Sequence, residues 1–138
     1  MWYLRLIWLL LFLTQCGSGC TPATLRPQAV AAHTVARVAN AAGKQLAEQM
    51  RRQGSDAIDL AASAAEARAA LELVEDQWRP VWAAHDELAI VHEAYAEQLE
   101  AGGDVDLEAL VDSYCELRAV ALDSVQVALP DVPTGGCS

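Results

Sequence analysis

Apolar residues recur at helical spacing along most of this chain. Between Gln28 and Gln53 they follow one another at steps of three or four residues, which places them on one face of a helix. These residues are Val35, Val38, Ala42, Leu46 and Met50. The pattern predicts a first helix over 28–53. Gly54-Ser55-Asp56 predicts its end, because glycine suits a left-handed cap and Ser55 or Asp56 suits the next N-cap.

A longer helix is predicted from Asp56 to Glu100. Apolar residues and two histidines alternate along it at steps of three and four, a spacing typical of coiled-coil seams. The seam comprises Leu60, Ala64, Ala67, Leu71, Val74, Trp78, Val81, His85, Leu88, His92, Tyr95 and Leu99. Pro80 lies within it, and a proline inside a helix removes a hydrogen bond and clashes with the preceding turn. We therefore expect a kink near Gln77 or a break there.

A third helix is predicted after the terminator Gly102-Gly103. Asp104 or Asp106 can cap it. Its apolar face consists of Leu107, Leu110, Tyr114, Leu117, Ala121 and Ala128. Pro130 is expected to stop this helix, and the tail to Ser138 is expected to be irregular. Three apolar-faced helices without a strand pattern predict an all-α fold, a small antiparallel helical bundle or hairpin of about three helices.

The composition is that of a small helical domain with a thin core. Hydrophobic residues make up 54% of the 138 residues, but aromatic residues only 6%, and much of the rest is alanine. Alanine is the strongest helix former and fills little space. We expect a single helical domain over 28–138, large enough for one modest core.

The charge is negative overall and unevenly distributed. The net charge of −10 disfavours nucleic acid as a partner. Residues 21–55 carry five basic side chains and one acidic one, whereas residues 56–138 carry three basic and eighteen acidic ones. Basic residues can lie beside anionic lipid, but these five are not a dense cluster. We expect the basic segment to pack along the acidic remainder of the chain.

The first twenty residues have the order of a secretory signal peptide. Arg5 supplies a positive charge, Leu6–Leu13 is a continuous apolar run, and small residues with Cys16 and Cys20 follow. The run is too short to span a bilayer, which takes about 20 apolar residues. The arrangement resembles the signal of bacterial lipoproteins, in which a cysteine after the apolar run is acylated and becomes the new N-terminus.

Cys16 and Cys20 are both candidates for acylation. Cys16 has Leu13 three residues before it, as the lipoprotein pattern requires, but Gln15 is a poor cleavage residue. Cys20 follows a small residue, but Gly17 stands where a leucine is expected. Distance from the apolar run favours Cys16. Cleavage before Cys20 would instead leave an even number of other cysteines in an oxidising compartment.

The resemblance implies a signal peptide over 1–20, a short tether over 21–27 and a membrane anchor through the N-terminal lipid. Neither cysteine is followed directly by aspartate, which by similarity to sorted lipoproteins implies the outer membrane, facing the periplasm. The signal and the size also resemble small lipoproteins of phages and prophages, such as spanin subunits and superinfection-exclusion factors. The implied partner is another envelope protein.

Cys115 and Cys137 are predicted to form a disulfide. From Cys115 to Leu129 the predicted helix rises about 21 Å. The tail from Pro130 to Cys137 spans about 26 Å when extended. The tail can therefore return along the helix and close the bridge in an exported protein. The alternative is two free or intermolecular thiols.

Trp78, Trp82 and Tyr95 form the densest aromatic group, and Trp78 and Trp82 lie one helical turn apart. Tryptophan and tyrosine dominate binding hot spots. In a core built from alanine they also fill space, and we expect a core role. The alternative is that they line a pocket of a ligand- or metal-sensing bundle together with His85 and His92.

No catalytic or metal site is predicted. His85 and His92 lie about 10 Å apart along one helix, so they cannot share an ion without another helix. The Glu-x-x-His pairs of carboxylate-bridged bundles are absent. Gly-x-Ser-x-Gly, P-loop and His-Glu-x-x-His motifs are absent as well. We expect a protein without enzymatic activity or cofactor, and we do not expect a small-molecule ligand.

Overall fold

The computed structural model describes residues 27–102, 106–133 and 136–137. These residues form three helices, which are α1 (Pro27–Asp59), α2 (Ala64–Glu100) and α3 (Leu107–Val125). Each helix packs against the other two, and no strand occurs in the described ranges. The predicted all-α bundle of about three helices is confirmed. The signal segment 1–20, with Cys16 and Cys20, lies outside the described residues.

Helix α1 is longer than the sequence predicted. It begins at Pro27, the last residue of the predicted tether, and a proline is well suited to the first helical position. It passes through Gly54-Ser55-Asp56 and ends at Asp59, so the predicted end at Gly54 is wrong. A glycine inside a helix costs about 1 kcal/mol relative to alanine. Packing of α1 against α2 outweighs that cost.

Helix α2 begins at a capping signal that the sequence analysis did not use. Ser63 has extended backbone geometry (φ −149°, ψ 162°), and its hydroxyl accepts a hydrogen bond from the Glu66 N–H at 3.3 Å. The Glu66 carboxylate accepts one in turn from the Ala62 N–H at 2.8 Å. This is close to the reciprocal capping box of Ser-x-x-Glu sequences. The N-cap is therefore Ser63, and neither Ser55 nor Asp56 caps α2.

Helix α2 continues through Pro80 without a break. Pro80 is exposed, while Trp78 and Val81 beside it are fully buried. The packing of these two side chains keeps the segment helical despite the hydrogen bond that proline removes. A kink near Gln77 stays a prediction.

The sequence predicted the start of helix α3 correctly but not its end. Asp106 is the N-cap, and its carboxylate accepts from the Ala109 N–H at 3.0 Å. The helix ends at Val125, before the predicted stop at Pro130. Gln126 adopts a left-handed conformation (φ 57°), which turns the chain out of the helix.

The residues after α3 cover part of the bundle. We call the described residues 126–133 and 136–137 the strap. Alternate residues of its first half are buried, as in an extended chain with one face on a core. Val127, Leu129 and Val132 are buried, whereas Ala128 and Pro130 are exposed. The strap is non-helical as predicted for the tail, but Ala128 does not belong to the apolar face of α3.

The core lies where all three helices meet. Its largest fully buried side chains are Trp78, Tyr114, Leu46, Leu110, Leu117, Val35 and Val81. Ala32, Ala42 and Ala121 are also fully buried, so the helices pack closely around small residues. The predicted apolar faces of α1 and α3 are confirmed, apart from Ala128.

The predicted seam of α2 is buried only in part. The Gln77 side chain donates to the Ser124 carbonyl at 2.9 Å, which places the C-terminal end of α3 beside Gln77. Before Gln77, α2 has only α1 as a helical neighbour, and no residue between Ala47 and Gln77 is fully buried. Leu60, at the far end of this two-helix part, is 86% exposed. We call residues 54–74 the hairpin end.

The predicted disulfide joins Cys115 of α3 to Cys137 of the strap, with the two Cα atoms 5.4 Å apart. In the described residues, no helix is both long enough and apolar enough to cross a membrane.

Candidate functional site

The aromatic pair of α2 faces α1. Trp78 is fully buried, and its indole N–H donates to Oε1 of Gln53 at 2.6 Å. Trp82 is half-buried, and its Nε1 lies 3.1 Å from Sδ of Met50. The two ring centroids are 6.1 Å apart. A buried indole needs such a partner for its N–H. Trp78 is therefore a core residue, and of the two tryptophans only Trp82 is partly exposed to solvent.

His85 of α2 lies against Gly43 of α1. Its ring meets Trp82 edge-on, with the centroids 5.5 Å apart. A Cβ atom added to Gly43 would lie 3.0 Å from Nε2 of His85. The absence of a side chain at Gly43 therefore makes room for the imidazole between the helices.

A groove of about 190 Å³ runs between α1 and α2 and is lined by both histidines. Its other lining residues are Ala36, Ala39, Asn40, Leu88 and Ala89. The aromatic residues predicted to share a pocket with His85 and His92, which are Trp78, Trp82 and Tyr95, do not line this groove. Tyr95 is buried behind His92, with ring centroids 6.1 Å apart, and its burial raises the pKa of the phenol.

Among the described residues, no three or more His, Cys, Asp or Glu side chains are placed to hold one metal ion.

The strap is attached to α3 by polar contacts that the sequence analysis did not find. The Tyr114 hydroxyl donates to the Pro130 carbonyl at 2.9 Å, and burial raises the pKa of this tyrosine. Arg118 donates to the Leu129 carbonyl at 3.2 Å and pairs with Asp131 at 2.9 Å. These contacts depend on where the strap lies, which no local sequence pattern specifies.

Asp131 connects the two ends of the strap. Its Oδ1, which binds Arg118, also accepts from the Val132 N–H at 3.0 Å and from the Cys137 N–H at 3.4 Å. From the other side, Gln45 of α1 donates to the Ala128 carbonyl at 3.2 Å. The strap therefore bridges α1 and α3.

The disulfide borders a groove of about 330 Å³ between α3 and the strap. Both cysteines line it, together with Arg118, Ala119, Leu122, Ala128 and Leu129. The groove is open to solvent, since Ala119, Leu122 and Ala128 are exposed.

The hairpin end exposes large apolar side chains. Ile58 is 50% exposed and Leu73 is 71% exposed, in addition to Leu60. Leu73 lies one turn before Gln77 on the same face of α2, just past the end of α3. Large apolar side chains are also exposed elsewhere in the bundle, at Val30, Ile90, Leu99 and Leu122.

The basic side chains of α1 do not pair with the acidic helices. Arg51 and Arg52 bind Glu48 of the same helix at 2.9 and 3.1 Å. These hydrogen bonds lower the pKa of the Glu48 carboxyl, and the one from Arg51 has the larger effect. Helix α1 packs against both other helices. In the described ranges, however, this packing involves no ion pair between helices.

Comparisons with protein-family models, with curated proteins and with solved structures find no match to this chain. Its function is therefore argued from its own residues.

Proposed function

We propose that the protein is an exported lipoprotein, held in the cell envelope by an N-terminal lipid, whose helical domain acts by binding or spacing and not by catalysis. The observation that carries the proposal is the order of Arg5, the apolar run Leu6–Leu13 and the cysteines Cys16 and Cys20. Outer-membrane attachment facing the periplasm and an envelope protein as partner are part of this proposal.

The disulfide supports export. Intrachain disulfides persist mainly in oxidising compartments such as the bacterial periplasm and are rare in the cytosol. Cys115 and Cys137 are joined across the strap. A lipid on Cys16 or Cys20 would leave this pair intact.

The shape of the domain supports a spacing role. The 33 residues of α1 rise about 50 Å from Pro27 to Asp59. The domain begins directly after the proposed tether, so the hairpin end would stand well away from the anchoring membrane.

The anchor is tested by expressing the full chain in a bacterium with labelled palmitate and fractionating the cells. We expect the unaltered chain to carry the label and to partition with membranes. Both properties should be lost in one of the two single variants, Cys16→Ser or Cys20→Ser, and in the double variant. Ser18→Ala is the matched control and should behave like the parent. Equal partitioning of the double variant and the parent would contradict the lipid anchor.

The groove at His85 and His92 supports a second candidate function, that of a ligand- or metal-sensing bundle. It is favoured by both imidazoles lining one groove. Thermal melting with and without Zn²⁺ separates the two proposals. A spacing or binding domain should melt at the same temperature in both, whereas a sensor should be stabilised by zinc and lose this response in His85→Ala.

A phage or prophage origin is a further alternative, proposed from the signal and the size. Lysis genes beside the coding sequence would support it.

A further inference from the structure

The strap covers apolar surface of the bundle. Val127, Leu129 and Val132 are buried in the same core cluster as Leu117 and Ala121 of α3. Removing the strap would expose these residues and the face of α3 beneath them. The three helices would remain, since they also pack directly against one another.

The far end of the strap depends on the disulfide. In the described residues, the strap's hydrogen bonds to the helices involve positions 126–131, including the N–H groups of Gln126 and Val127, which donate to the Ala121 carbonyl. Beyond them the strap is held by the burial of Val132 in the core and by the Cys115–Cys137 bond. The Cys137 N–H also helps to hold Asp131. Loss of the disulfide would therefore weaken the Arg118–Asp131 pair, which is already partly exposed to solvent.

The disulfide is reachable. Both cysteines line the open groove between α3 and the strap, where the apolar side chains of Ala119, Leu122 and Ala128 surround them. Thiol–disulfide exchange requires a thiolate to approach one sulfur of the bond, and access controls its rate. A groove with an apolar border gives a reducing dithiol, including that of a protein oxidoreductase, a place to approach.

We propose that the strap is a redox-controlled cover, which a dithiol reductant opens by reducing Cys115–Cys137 while the three helices stay folded. One thiolate of the dithiol attacks a sulfur of the bond and forms a mixed disulfide, releasing the other cysteine as a thiolate that takes up a proton. The second thiol of the reductant then displaces the remaining cysteine. The protein gains two thiols, the reductant becomes a disulfide, and two electrons are transferred. This device does not depend on the lipid anchor.

Hydrogen exchange of the purified full chain, oxidised or reduced with dithiothreitol and alkylated, tests the opening. We expect amide exchange in residues 126–137 to accelerate at least tenfold on reduction, with α1 and α2 unchanged. The Cys115→Ala/Cys137→Ala variant should show the same pattern without reductant. Unchanged strap protection after reduction would overturn the proposal, and so would equal loss of protection in all three helices.

The approach route is tested by the rate of reduction with a thioredoxin-type dithiol protein. Ala119→Trp adds bulk to the groove and should slow reduction several-fold. Ala94→Trp, at an exposed position of α2, is the matched control and should leave the rate unchanged. Equal rates for both variants and the parent would overturn the groove as the point of approach.

Discussion

At the scale of single residues, the contribution of Trp78 was predictable and its partner was not. A tryptophan on a seam of alanine and valine is the side chain that fills such a core, and Trp78 is fully buried. Its hydrogen bond to Gln53 depends on the register of α1 against α2. That register is set by the position of the turn between the helices, and the N-cap of α2 lies at Ser63, seven or eight residues after the predicted Asp56 or Ser55.

Replacing Trp78 by alanine should destabilise the protein strongly. Truncation of a buried tryptophan costs about 3–5 kcal/mol, because it leaves a cavity and loses apolar burial. Here it also leaves Gln53 without its indole partner. Denaturant unfolding of the purified protein in detergent measures the effect, and exposed Leu73→Ala is the control with a small change. Trp78 does not fill the core if both variants unfold like the parent.

Gly43 and His85 should be energetically coupled. In Gly43→Ala the new Cβ would lie 3.0 Å from Nε2 of His85, so the imidazole must move. We expect this variant to be less stable than the parent. In a His85→Ala background the same substitution should stabilise by up to about 1 kcal/mol, through the higher helix propensity of alanine. Additive effects of the two substitutions on the free energy of unfolding would argue against the contact.

At the scale of elements, the sequence predicted the number of helices and their apolar faces better than their ends. Periodic apolar residues specify a buried face. The ends depend on competing local signals. Gly54-Ser55-Asp56 predicts a helix boundary, but α1 continues to Asp59, and Ser63 and Glu66 form the N-terminal cap of α2. The irregular tail and its return to Cys115 were predicted, but its start at Gln126 was not, because the alternating burial at Val127 and Leu129 is too short a pattern to stand out beside a proline.

Because Gly54 lies inside α1, replacing it by alanine should change the stability in a definite direction. Gly54→Ala should stabilise the protein by about 1 kcal/mol, since alanine is the better helix former. The added Cβ would meet Cδ2 of Leu71 at 3.7 Å, an ordinary contact. Urea unfolding of parent and variant measures the difference. A loss of stability would instead indicate the left-handed cap that the sequence analysis assigned here.

At the scale of the whole molecule, the bundle is uneven. Three helices and the strap enclose the core at one end, whereas the hairpin end has two helices and exposes Ile58, Leu60 and Leu73. The predicted site residues also divide into two groups. His85 and His92 share a groove, while Trp78 and Tyr95 belong to the core, a distinction that heptad spacing alone cannot make because all four lie on one seam.

Reduction of the disulfide should lower the melting temperature without removing the helices. Closing a loop with a sequence separation of 22 residues stabilises a fold by about 3 kcal/mol in the chain-entropy model. Circular dichroism of oxidised and of reduced, alkylated protein follows both quantities. An unchanged melting temperature would mean that the bridge adds no stability, and loss of the helical signal at 25 °C would mean that the helices depend on it.

The central claim is that this chain is processed and anchored as a lipoprotein, and mass spectrometry of its mature N-terminus tests it most directly. The full chain would be expressed in a bacterium, extracted from membranes with detergent and digested. We expect an N-terminal peptide that begins at Cys16 or Cys20 and carries the mass of a diacylglyceryl group. A mature protein that still begins at Met1, or one cleaved with both cysteines unmodified or removed, would contradict the claim.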